Sequence, residues 1–256
     1  DFERERIELE LRLLAGKLRL SDGAKLEEYH WADAYRKARG LSQHKWSNLP
    51  FRDYLHDGLG VEFKLLQRAS PEGDQGRALM HPSASRQLTF NEHGSAETAK
   101  VEVLRQWGET IERFRLEVAA TRPDSPPEIR WGVLLWKPDF GEFLYFEEDI
   151  ERPNPKDFYA KWSNQEHRGK PTRNLHIFAK KTDAKKFSVT LPSKGAKLQP
   201  YFTVPTVEQG AVLFRIAQDS VLVPLWLSRQ LFLSLELDQV DIGRQDEWLR
   251  RQLGRS

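Results

Sequence analysis

The sequence predicts a mixed α/β (α+β) fold, and three observations lead to it. Apolar residues recur at helical spacing in Phe2–Leu20 and in Ala96–Ala119. The stretch Phe51–Gln67 has the pattern of a two-stranded hairpin, and Ile129–Trp136 is a continuous apolar, β-prone run. With the alternating stretch Arg86–Phe90 counted as a third strand, the order along the chain becomes αβββαβ.

The first helix has its apolar residues on one stripe, at positions i, i+4, i+7 and i+11. They are Ile7, Leu11, Leu14 and Leu18. Ser21-Asp22-Gly23 ends this helix, and Ala24–Arg39 is predicted to form a second helix that ends at Gly40. The strand Ile129–Trp136 is followed by Glu142–Phe146, which we expect to pair with it.

The second half of the chain is predicted to be a β-rich and helical extension. Strand-like segments are Asn174–Ala179, Lys186–Leu191 and Tyr201–Val204, and Thr206–Leu253 has a mostly helical pattern. Within it, Val221–Leu237 is too apolar to face solvent, and it suits a core or a subunit interface better than a membrane span of only ~17 residues. No Pro- or Ser-rich linker separates two domains. We therefore expect residues 1–137 to form the core and residues 138–256 to dock on it.

Composition excludes several classes of protein. At 256 residues and 39% hydrophobic content, the chain can bury a real core. It has no cysteine, which rules out disulfides and Cys-ligated metals, and it has no HExxH, Walker-type, GxSxG or GxGxxG motif. No uninterrupted apolar run approaches ~18 residues, and no signal peptide is visible. We expect a soluble, cytoplasmic protein.

The net charge of +2 conceals an uneven distribution of charged residues. Residues 101–150 carry 6 basic and 11 acidic side chains, whereas residues 151–200 carry 12 basic and 4 acidic ones. Aromatic residues, among them Phe158, Tyr159 and Trp162, lie between the basic ones. This pattern favours a surface that binds nucleic acid, although aromatic residues also build ordinary cores and lysines also occupy solvated loops.

The hairpin carries the candidate catalytic residues. In the strand after the turn, Glu62 and Lys64 point to one face because strand side chains alternate. Asp57, at the turn with Gly58, is expected to bend back towards Glu62 and complete a site for a hard divalent cation, with Asp53 as the substitute if the turn lies earlier. The alternative is a surface hairpin whose Glu and Lys are merely solvated.

Together, Asp57, Glu62 and Lys64 resemble the PD-(D/E)xK motif of the restriction-endonuclease-like nucleases, although His56 stands where the motif has proline. The resemblance implies an αβββαβ core with a mixed central sheet flanked by helices. It also implies Mg²⁺ held by Asp57 and Glu62, with Lys64 orienting the attacking water or stabilising negative charge. In this superfamily a glutamate from the preceding helix often reaches the metal. That nominates Glu27 or Glu28, and we prefer Glu28.

Further residues are candidates for contacts with DNA phosphates, because hydroxyls, amides and basic groups bind backbone oxygens. They are Ser83, Ser85, Arg86, Gln67, Lys170 and Arg173. An ordinary polar turn or strand end is the competing interpretation.

Three functions fit these features. The first is a Mg²⁺-dependent endonuclease of the type II restriction class acting on double-stranded DNA, expected to be a homodimer because two chains can cut two strands symmetrically. The second is a nuclease module of a larger repair or defence protein, which the Asp at position 1 permits. The third is a nucleic-acid-binding protein without catalytic activity.

Overall fold

The computed structural model describes residues 4–20, 25–40, 53–80, 88–91, 93–167, 170–190 and 196–216. Within these ranges the fold is mixed α/β, with three α-helices and two five-stranded β-sheets. The predicted α/β class is confirmed at this level. None of the helices in these ranges combines the length and the apolar character needed to cross a membrane.

The helices are α1 (Arg4–Leu20), α2 (Glu28–Ala38) and α3 (Ala96–Thr121). The strands, in chain order, are β1 (Tyr54–His56), β2 (Leu59–Gln67), β3 (Ala78–Met80), β4 (Glu128–Trp136), β5 (Glu142–Asp149), β6 (Phe158–His167), β7 (Lys170–Ala179), β8 (Lys185–Thr190), β9 (Lys197–Thr203) and β10 (Val212–Arg215). Both long amphipathic segments are helical, the predicted hairpin forms β1 and β2, and the apolar run Ile129–Trp136 lies in β4, as the hydrophobic periodicity predicts.

The first sheet is mixed and has the strand order β1-β2-β4-β5-β10. Its inner strands β2 and β4 are parallel. They can be parallel because α3, which lies between them in the chain, brings the chain back to the end of the sheet at which β2 begins. The other pairs are antiparallel, and β5 pairs with β4 as expected. The candidate catalytic strand β2 is therefore an inner strand of this sheet.

The helices α1 and α2 cover one face of the first sheet. The apolar stripe of α1 is buried in this layer, where α1 packs on α2. Trp31 and Tyr35 of α2 contact the rings of Phe63 and Tyr145 on the sheet. Val61 and Phe63 of β2 are fully buried here, which is the face that their alternation predicts.

The opposite face of the first sheet packs on α3 and the second sheet. The helix comes so close to β2 that a Cβ at Gly60 would lie 2.3 Å from the Phe114 ring. The second sheet is antiparallel with the order β3-β9-β8-β7-β6, and its apolar inner face shares a core with α3. Lys100 of α3 ties the layers together, since its Nζ donates to the Phe158 carbonyl at 2.7 Å.

The third strand differs from the prediction. It is β3, and it pairs with β9 in the second sheet rather than joining the first. Of the predicted strand Arg86–Phe90, Leu88 forms an isolated bridge with Ala196, while residues 86 and 87 lie outside the described residues. Sequence alternation indicates a strand but not its partner, because pairing depends on residues more than a hundred positions away.

Both sheets draw strands from the two halves of the chain. Strands β5 and β10 complete the first sheet, whereas β3, from the first half, belongs to the second. A boundary at residue 137 therefore does not separate the two sheets. In the predicted helical region from Thr206, residues 212–215 form strand β10, and Val221–Leu237 lies outside the described residues.

Candidate active site

The hairpin turn lies at Asp57-Gly58, and both residues have positive φ, 48° and 78°. Positive φ at both central positions is what a two-residue turn of type I′ requires. Asp57 consequently lies at the hairpin tip, with a side chain 61% exposed and its carboxylate 3.5 Å from Arg122 Nη1. Gly58 at the tip precedes Glu62 by four positions, so the tip is roughly 13 Å from Glu62 along the strand. The expected convergence of Asp57 with Glu62 is therefore corrected by the structure.

Asp53 takes the position that Asp57 was expected to fill. The register pairs Tyr54 with Val61, so the next position outward brings Asp53 opposite Glu62. Asp53 is only 5% exposed, and its Oδ2 accepts the backbone N–H of Phe63 at 2.7 Å. Arg36 of α2 donates to its backbone carbonyl. The substitute residue named from the sequence is the one that reaches the strand of Glu62.

Glu62 and Lys64 form a buried ion pair. Lys64 Nζ lies 2.9 Å from Glu62 Oε1 and donates a second hydrogen bond to the Phe63 carbonyl at 2.8 Å. Only 7% of Glu62 and 4% of Lys64 is exposed. The alternative of a solvated surface hairpin is therefore wrong. The Lys64 ammonium also lies 5.5 Å from the centre of the Trp131 ring, at the distance of a cation–π contact.

Glu28, the first residue of α2, reaches the same cluster from solvent. Its Oε1 is 4.0 Å from Lys64 Nζ, and its side chain is 36% exposed. Burial is the largest influence and raises the pKa of Glu28, with Lys64 opposing and Glu62 adding to the rise. Glu28 rather than Glu27 is thus the helix glutamate at the site, because Glu27 pairs with Lys25 instead.

The pKa of Asp53 is the most informative electrostatic feature of the cluster. Burial, followed by the negative charge of Glu62, raises this pKa to about 7. Lys64 and the hydrogen bond from Phe63 N–H oppose the rise but do not cancel it. A carboxyl group with such a pKa is on the border between its neutral and charged forms at physiological pH, which suits a group that a cation can deprotonate.

The donor set consists of carboxylate oxygens, which are the ligands that Mg²⁺ and similar hard cations prefer. Asp53 and Glu62 are the inner pair and Glu28 is the outer member. In the side-chain arrangement found here, the described residues contain no group of three or more His, Cys, Asp or Glu already placed to hold a metal ion. Lys64 instead supplies the positive charge that neighbours the carboxylates.

The structure describes the side chains of two of the six predicted DNA-contacting residues. Gln67 ends β2 and is exposed. Arg173 of β7 is not free, because its guanidinium stacks 4.1 Å above the Trp162 ring. Lys170 begins β7, and its side chain lies outside the described part of the chain. Ser83, Ser85 and Arg86 lie outside it as well.

Two residues that contact the site belong to no motif that the sequence shows. Arg36 contacts Asp53, and Trp131 borders Lys64. Trp131 is found only through the register, which pairs it with Glu62 across the parallel strands.

Comparison of the chain with protein-family models, with curated proteins and with solved structures finds no match in any of the three. The geometry of Asp53, Glu62, Lys64 and Glu28 is accordingly the basis on which a function is assigned.

Proposed function

We propose that this chain is a Mg²⁺-dependent endonuclease that hydrolyses phosphodiester bonds of double-stranded DNA, of the type II restriction class and with a restriction-endonuclease-like core. The observation that carries the proposal is the buried cluster in which Lys64 lies 2.9 Å from Glu62 beside Asp53, a carboxyl group of raised pKa. Clusters of buried groups with perturbed pKa values concentrate at catalytic sites, because burial there is retained for chemistry at a cost in stability.

Each residue has a distinct role in this proposal. Asp53 and Glu62 would hold the cation, and Glu28, the most exposed of the three acids, would be an accessory ligand. When bound, Mg²⁺ would polarise the phosphoryl oxygen and acidify a water molecule. Lys64 donates its remaining hydrogen bond to the attacking water or to the phosphate oxygens, which gain negative charge as the water oxygen bonds to phosphorus. The bond from phosphorus to the leaving oxygen then breaks, and the leaving oxygen takes up a proton from water. The Trp131 ring and the Glu62 carboxylate hold the Lys64 ammonium in place.

The competing proposal is a nucleic-acid-binding protein in which Glu62 and Lys64 form a structural ion pair. It is favoured by one observation, that Lys64 already makes two hydrogen bonds within the chain. The two proposals differ in what they expect of the metal, since a structural pair needs none.

Incubation with supercoiled plasmid DNA separates these proposals. We expect cleavage in Mg²⁺ and none in EDTA, and sequencing of the fragment ends shows whether the cuts share a recognition sequence. Discrete fragments support the restriction type, and a smear supports the nuclease module without defined sites. DNA that is retarded on a gel but stays intact in Mg²⁺ and in Mn²⁺ contradicts the nuclease proposal and supports the competing one.

We further propose that the nuclease acts as a symmetric dimer, because one site per chain cuts two antiparallel strands most simply when a twofold axis relates two chains. The apolar stripe of α1 is not the surface for this contact, since it is buried against α2. In the complex with DNA, light scattering is expected to give a protein mass of twice the 29.9 kDa of one chain, once the mass of one duplex is subtracted. A monomeric mass with and without DNA contradicts the dimer, and a nicked plasmid intermediate should then accumulate.

A further inference from the structure

Aromatic and basic side chains, with one methionine at the end, form a continuous stripe across the outer face of the second sheet, the face opposite α3. The stripe crosses all five strands and consists of Tyr159 and Lys161 on β6, Phe178 on β7, Lys185 on β8, Tyr201 on β9 and Met80 on β3. Its position follows from strand alternation. Phe158, Ala160 and Trp162 of β6 pack on the shared core, so Tyr159 and Lys161 face away from it.

The members of the stripe contact one another from strand to strand. Tyr159 and Phe178 are paired across β6 and β7, and their rings stack at 5.1 Å with an interplanar angle of 9°. Lys185 Nζ lies 5.9 Å from the centre of the Phe178 ring and 5.2 Å from that of Tyr201. Tyr201 in turn pairs with Met80, which is one of the more exposed apolar residues of the chain.

The positive charges of the stripe lie close to its aromatic rings. Lys161 lies 5.2 Å from the Tyr159 ring centre and 5.9 Å from that of Phe178. Asp183, at the turn before β8, accepts a hydrogen bond from the Tyr159 hydroxyl. The surrounding region, residues 151–200, carries the 12 basic and 4 acidic residues counted above.

We infer that this stripe binds single-stranded nucleic acid, with bases stacking on the rings and phosphates paired with the lysines. Flat π-faces alternating with flexible cations match the repeat of base and phosphate in an unpaired strand, whereas bases in a duplex are stacked on each other and cannot reach the rings. Five strands spaced about 4.8 Å apart give a stripe roughly 19 Å long, which suits a site of about 4 nucleotides. The inference goes beyond the proposed nuclease and does not depend on it.

Fluorescence polarisation with a labelled 12-nucleotide DNA strand tests this inference, with the duplex of the same sequence and the RNA strand as further probes. All titrations contain EDTA, so that cleavage plays no part and a failed nuclease proposal cannot be mistaken for a failed inference. We expect Tyr159→Ala combined with Phe178→Ala to weaken binding of the single strand by at least about 10-fold and to leave the weaker duplex binding nearly unchanged.

The lysines are tested separately, so that the inference stays testable if the aromatic variant folds poorly. Lys161→Gln combined with Lys185→Gln should reduce the slope of log K against log salt by about 1.4, because each lysine releases about 0.7 of a counterion from a single strand. The control, Arg113→Gln combined with Lys137→Gln, removes two charges outside the second sheet and should change the slope less. Unchanged single-strand affinity in both stripe variants, or an equal loss for strand and duplex, overturns the inference. Preference for DNA or for RNA identifies the strand that is bound.

Discussion

Asp53→Asn is expected to lower DNA cleavage by at least about 10²-fold, whereas Asp57→Asn should leave it within about twofold of the unchanged protein. Asp53 is buried with its carboxyl group bound to Phe63 N–H, on the strand of Glu62. Asp57 is an exposed residue at the hairpin tip. The two substitutions are chemically identical and four positions apart, so they compare the position given by the structure with the one given by the sequence motif. Initial cleavage rates of plasmid in Mg²⁺ provide the measurement.

Asp53→Asn should lose activity without losing the fold, because the charge that it removes does not stabilise the folded state at alkaline pH. The pKa of Asp53 in the folded chain, about 7, is above the ordinary value of about 3.9. Between these values the folded state binds more protons than the unfolded state, so this group makes stability fall as pH rises. Asn keeps an oxygen that can accept from Phe63 N–H and carries no charge. Asp53→Asn should therefore be at least as stable as the unchanged protein at pH 8, as measured by urea denaturation.

Equal activity of both Asn variants would contradict the site as described. If Asp57→Asn alone lost activity, the hairpin tip rather than the buried cluster would be the catalytic element. Binding of duplex DNA in EDTA is the accompanying readout, and it should be retained by both variants, since neither removes a basic residue.

The position of Asp53 could have been predicted from the sequence, because the turn determines it. Asp-Gly between two β-prone runs is the strongest short-range signal of a two-residue hairpin. Such a turn pairs His56 with Leu59 and, counting outwards, places Asp53 opposite Glu62. The spacing of the acids in the nuclease motif points to Asp57 instead. In a strand, backbone register decides which side chains meet, and the distance in sequence does not.

Other parts of the structure could not be predicted in this way. The contact of Lys64 with Trp131 depends on the parallel register of β2 with β4, which are separated in the chain by a strand and a long helix. The stripe on the second sheet depends on an irregularity where β7 pairs with β8: the register shifts between Ile177 and Phe178, so that Phe178 pairs with Lys185 and Lys186 is passed over. A bulge of this kind reorients a side chain without leaving a clear trace in hydrophobic alternation.

Lys64→Met is expected to destabilise the fold by about 3–5 kcal/mol at pH 8, the largest stability effect of any single substitution at the site. Methionine has nearly the length of lysine and fills its volume, so the change removes the charge more than the packing. Glu62 then remains buried without its closest cation, beside Asp53 and Glu28. Lys64 lowers the pKa of both Asp53 and Glu28, so its loss lets these carboxyl groups keep their protons to higher pH. The destabilisation should consequently be smaller at pH 5 than at pH 8, as urea denaturation at the two pH values will show.

The effect of Mg²⁺ on the stability of Lys64→Met shows whether these carboxylates are metal ligands or only partners of a structural ion pair. A cation bound by Asp53 and Glu62 in the folded state alone stabilises that state, and it should restore a measurable part of the stability lost in Lys64→Met at pH 8. Lys100→Met is the matched control. Lys100 is as buried as Lys64, but its carboxylate partner, Glu97, is largely exposed. In the described part of the chain, no second acid pairs with Lys100. Lys100→Met should therefore lose stability without recovering it in Mg²⁺. If Mg²⁺ affects the two variants equally, the cluster around Lys64 is a structural ion pair and the nuclease proposal loses its metal site.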